Sequence, residues 1–287
     1  MKATHVVSAL AAVGIVGLGA LGISGAQQKA QLEQHLEPQI QMAQTLHQLS
    51  EHKDLLAKDL TGGQESAQKL QELIDRSLEQ LPQAAQERAT TDERDQEVDQ
   101  GNSAQQSFQN SIDTLLQIVM AQENAVTENP SAVRLEGIRL AFDLASFAQD
   151  HGIDVNPTAA LEPMPPQNTC DTSNTSKAPE TVQALLATLN AELYVQQISG
   201  ARKAESTNSE TLRKLTHWKN ELNDAASCSY TPVRQLPAYD TSQESSTQFT
   251  DMLNTNLEAV IADPDISSES ALLHQVIRLC AEQKLSS

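Results

Sequence analysis

Four ionisable side chains have types and spacing that could do chemistry: Glu192, His217, Glu258 and His274. Each sits beside an apolar stripe of helical period. A helical bundle that holds two irons takes one Glu from each of two helices. The other two helices each supply a Glu-x-x-His pair, a spacing that projects both side chains inward. Glu192 and Glu258 fit the single carboxylates. The histidines break the pattern, because Lys214 stands three residues before His217 and Ala271 three before His274. Glu221 follows His217 by one turn and does not restore the motif. The reading adopted is therefore that no metal or cofactor binds and that the four residues are hydrogen-bonding edges of apolar faces. Iron or manganese held by Glu192, His217, Glu258 and His274 is the alternative.

Other constellations weaken on inspection. His47 and Glu51 are spaced to chelate on one helix, with His52 beside them, but no H-E-x-x-H run is present. A solvated face is expected there. Asp95-x-Glu97-x-Asp99 resembles the start of a calcium loop, yet Gln100 replaces the sixth-position Gly and Gln106 the twelfth-position Glu. Gly17-x-Gly19-x-x-Gly22 lies inside an apolar run with no preceding strand, so it is not a dinucleotide fingerprint. There is no G-x-S-x-G elbow and no Walker A run. His217-Trp218 reads as a packing pair at a helix end. No catalytic residue is assigned, and a non-enzyme is expected.

These residues need elements to carry them. Aromatic residues make up only 3% of the 287-residue chain, so the core must come from Leu, Ala, Val and Ile. Gln, Glu, Ala and Leu favour helix, and strand-forming aromatics are scarce. The expected class is all-α. The net charge of −19 is shared by both halves. Such a surface repels phosphate backbones and anionic lipid, so nucleic acid is excluded as a partner. A cell-envelope protein or a small molecule is compatible.

Residues 1–26 read as a signal peptide or an N-terminal membrane anchor. An uncharged run from Val6 to Ile23 follows Lys2 and His5, and Ser24-Gly25-Ala26 offers small residues for cleavage before Gln27. The run is just long enough to span a bilayer. In both readings the body is exported, and only residues 6–24, if uncleaved, would enter a membrane. No Cys lies near Ala26, which argues against a bacterial lipid anchor.

Residues 27–155 read as a series of short antiparallel helices, with 84–100 as a solvated helix or linker lacking an apolar face. Residues 156–178 carry Pro157, Pro163, Pro165 and Pro166 and a Ser/Thr/Asn run, and read as a linker. Residues 179–287 give four helices near 180–205, 209–227, 242–262 and 267–284. An irregular stretch with Pro232 and Pro237 joins the second to the third. Two helices, a long connection and two more helices form the ferritin-like order.

At this point residues 178–284 resemble a ferritin-like family of unknown function found in exported actinobacterial proteins. The resemblance rests on Ala191-Glu192, on His217 followed by Leu222, on Leu236-Pro237 in the crossover, and on Leu257-Glu258. Leu193 stands where the family has a His, and Arg234 where it has a Tyr. The resemblance implies a C-terminal four-helix bundle with a long crossover and export. It implies no reaction. In that topology the start of the first helix and the end of the second lie together, which favours a Cys170–Cys228 disulfide. Cys228–Cys280 is the rival pairing. Under the favoured pairing Cys280 is a buried thiol.

Overall fold

The computed structural model describes residues 25–92, 103–121, 130–161, 176–203, 209–227, 230, 246–267 and 270–284. Among these residues the chain is all-helical and contains no strand. Helices α1 (Gly25–Glu51), α2 (Lys53–Leu56), α3 (Gln64–Gln80), α4 (Gln83–Asp92), α5 (Ala104–Met120) and α6 (Pro130–Asp150) make up the first half. Helices α7 (Glu180–Lys203), α8 (Ser209–Ser227), α9 (Ser246–Ile261) and α10 (Ala271–Lys284) make up the second.

Local signals set the helix ends. Ser103 caps α5 by accepting from the Gln106 amide at 3.3 Å. The end of α6 is a Schellman turn. Gly152 takes φ +83°, and the Ile153 amide reaches back to the Ala148 carbonyl at 2.8 Å. The buried Ile153 then covers the helix end. Pro38 does not divide the first helix, because α1 runs through it to Glu51.

One sequence expectation is corrected by packing. The segment from residue 84 lacks large apolar residues, but α4 buries Ala85 and Ala89 against α1. Small side chains allow close approach without a visible apolar stripe. The stretch from 156 is packed where it is described. Pro157 and Leu161 are buried at one end, as is Ala178 at the other.

In the second half, α7 touches α8 and α9, and α10 touches the same two. The ring order is therefore α7, α8, α10, α9. Cross-bonds give the directions. Thr188 Oγ1 accepts from Asn256 Nδ2, and Thr181 donates to Asp263, so α7 and α9 are antiparallel. Trp218 donates to Glu282 and Gln275 to Glu221, so α8 and α10 are antiparallel too. A short link between packed α7 and α8 leaves α8 parallel to α9, on opposite corners of the ring.

The two halves share one apolar core, with α6 touching α9 and α10. Arg134 of α6 is 5% exposed and donates to the carbonyls of Ile266 at 2.8 Å and Asp263 at 3.4 Å. Arg139, one turn later, pairs with Glu258 at 2.8 Å.

Candidate functional site

The four candidate ligands do not converge. Glu192, on α7, is 6% exposed, and its Oε1 accepts from Gln196 one turn on at 2.7 Å. Glu258, on α9, turns away from the other three and pairs with Arg139 of the first half. The His217 side chain is 58% exposed, with Nε2 3.4 Å from Glu221. His274 is half-buried, and its Nε2 has no hydrogen-bond partner among the described residues. Among the described residues no group of three or more His, Cys, Asp or Glu side chains stands close enough to hold a metal.

Three expectations about individual residues change. Glu192 is buried rather than at an edge, because its amide partner Gln196 satisfies it locally. Trp218 is not paired with His217 at a helix end. It lies within α8, 5% exposed, with the Lys214 ammonium 4.6 Å from its ring centroid. Cys280 is half-buried rather than a core thiol. The face expected to be solvated at His47, Glu51 and His52 is mixed. Glu51 is exposed, but both imidazoles are half-buried with Nε2 shielded from solvent. Cys170, Cys228, the Asp95–Asp99 acidic run and residues 1–24 lie outside the described residues.

The two ends of the second half differ in chemistry. One end is tied by polar contacts. Ser176 and Tyr230 form an isolated parallel bridge, placing the start of α7 beside the end of α8. The Tyr230 phenol is pushed up by burial and by the carboxylates of Asp263 and Asp265. Arg134 and Thr181 grip the same turn. At the other end α8 and α9, on opposite corners, leave a cleft of about 300 Å³ lined by Leu215, Trp218, Phe249, Leu253, Lys214 and Gln283. Sequence reasoning missed this cleft. The available signal was Lys214 four residues before Trp218, a spacing that stacks them on one helix face.

One ionisable group outside this region is strongly perturbed. Burial pushes the Glu136 carboxyl up to about 7, with nearby Arg139 opposing the rise. Its folded-state pKa exceeds its unfolded value, so the protonated form adds stability below about pH 4.5. That stability is lost as pH rises through about 7. Glu136→Gln should remove the loss, raising unfolding free energy at pH 8 by about 3 kcal/mol. At pH 4 the two proteins should match. Urea melts at the two pH values check this, and equal gains at both would show that the carboxyl is not the cause.

No known protein family, curated protein or solved structure matches the chain. Among the described residues no helix is long and apolar enough to cross a membrane.

Proposed function

We propose that this is an exported, non-catalytic helical protein of the cell envelope that works by binding a partner or a small molecule. Its second half is read as a ferritin-like four-helix bundle without an intact di-metal site. The observation that carries the non-catalytic reading is where the candidate ligands go. Glu192, His217 and Glu258 are each engaged with a different neighbour, and Glu258 is turned toward the first half. The ring order and the two antiparallel pairs support the ferritin-like reading, since that topology places its second and third helices parallel across a diagonal. Iron or manganese binding remains the alternative class. It would have to recruit buried Glu192 and the unpartnered Nε2 of His274.

The export reading rests on the uncharged run from Val6 to Ile23 and on three cysteines. The Ser176–Tyr230 bridge supports a Cys170–Cys228 disulfide, because it ties together the segments that follow those cysteines. Fractionation with N-terminal sequencing and non-reducing peptide mapping tests both. The expected result is protein in the envelope or medium, with a Cys170–Cys228 peptide. Protein confined to the cytoplasm with all thiols reduced would overturn the export reading, and a Cys228–Cys280 peptide would overturn the pairing.

A further inference from the structure

We propose that His217 and Glu221 hold an exchangeable zinc ion on the exposed face of α8, with water filling its remaining positions. Glu192, Glu258 and His274 take no part in this site. The two side chains stand one turn apart on one helix, a spacing that lets them meet. Nε2 of His217 lies 3.4 Å from Oε1 of Glu221. That is longer than an N–H···O hydrogen bond of about 2.7–3.2 Å. Zinc held by an imidazole at about 2.05 Å and a carboxylate at about 2.1 Å sets those atoms about 3.4 Å apart at the tetrahedral angle. A square-planar ion would ask for about 2.9 Å. With its proton on Nδ1, the neutral imidazole offers the Nε2 lone pair.

The carboxylate is fixed from another helix. Gln275 of α10 is 4% exposed and donates from Nε2 to Oε2 of Glu221. Oε1 is left facing the imidazole, and a ligating carboxylate is itself held by such an outer hydrogen bond. The exposed imidazole gives an ion a way in from solvent. Charge permits a cation here. The net charge of −19 draws cations to the surface and keeps copies of the chain apart, so water completes the coordination rather than a second copy. Arg213, exposed one turn before His217, is a cation on the same face, and solvent screens it. Lys214 lies over the Trp218 ring, and Asp224 stands three residues beyond Glu221. Among the described residues no third His, Cys, Asp or Glu side chain joins the pair, so the ion is held by two protein ligands and exchanges readily.

The full chain is titrated with zinc alone, following the Hε1 resonances of its seven histidines. The resonance missing from His217→Ala should shift saturably. Competition with a zinc indicator should show affinity about tenfold weaker or worse in His217→Ala and Glu221→Gln, each of which removes one ligand, and about tenfold weaker in Gln275→Met, which removes the outer hydrogen bond. Cobalt in place of zinc should give the visible absorption of a four-coordinate ion, lost in His217→Ala. Glu192→Ala should leave zinc binding unchanged, which separates this site from the iron or manganese alternative. Far-UV circular dichroism confirms that the variants fold. No saturable shift of the His217 resonance below about 1 mM zinc would overturn the proposal. So would equal zinc affinity in wild type, His217→Ala and Glu221→Gln, since the ion would then sit elsewhere.

Discussion

Replacing Arg134 with methionine should cost about 3 kcal/mol and lower the melting temperature by roughly 6–12 °C. The methionine keeps an apolar stem in the space that Arg134 fills, so the loss reports the guanidinium. That group is buried and donates to the carbonyls of Asp263 and Ile266, in the turn between α9 and α10. Without it two carbonyls at the junction of the halves lose their donor, and a group left without a partner costs more than the bond was worth. Both bonds leave from one nitrogen, Nη1, so Arg134→Lys should recover part of the loss through its single ammonium. The same change should loosen α6 from the second half, detectable as faster amide exchange in the 263–266 turn. By contrast, the Arg139–Glu258 pair is half-exposed on both sides, and removing it should cost under about 1 kcal/mol. A methionine variant as stable as the parent would mean that the halves are held by apolar contact alone.

Gly137→Leu should destabilise the first half by about 3 kcal/mol or more. A Cβ at Gly137 would stand 2.5 Å from Val119 Cγ2 and 2.7 Å from Met42 Cε. Both neighbours are fully buried, so neither has open space to move into. Gly137 is thus a point of close approach of α6 to α5 and α1. Gly137→Ala sets two effects against each other. Helix propensity gains about 1 kcal/mol, and overpacking costs about 1–3 kcal/mol. Net loss is expected. Trimming Val119 to alanine removes the nearer clash, and in that background Gly137→Ala should become neutral or mildly stabilising. Denaturant melts of the four proteins measure the coupling. Additive effects would show that the contact with Val119 is not what demands glycine.

The class and the elements of this fold were legible in the sequence, and the contacts between elements were not. Leu185, Leu189, Leu215 and Leu222 announce their helices by period, and all are buried. Gly152 marks the end of α6 because only a residue at ease with positive φ closes a Schellman turn there. Helix α4 was hidden because Ala85 and Ala89 bury well without reading as an apolar face. Periodicity says which face is inward but not which helix lies opposite. Nothing in the spacing of Glu258 told that its partner would be Arg139, more than a hundred residues earlier. The cleft escaped for the same reason. Leu215 and Trp218 on α8 read as ordinary core, and only the packing of α8 on α10 with α9 across from it sets them beside Gln283 and Phe249.

Metal content of the protein purified from its native source tests the central claim most directly. Iron and manganese are measured per chain in the wild type and in Glu192→Ala. The account predicts amounts far below one per chain in both proteins, unchanged by the substitution. One or two equivalents in the wild type, lost in Glu192→Ala with the helical content intact, would contradict it and assign the second half to metal chemistry.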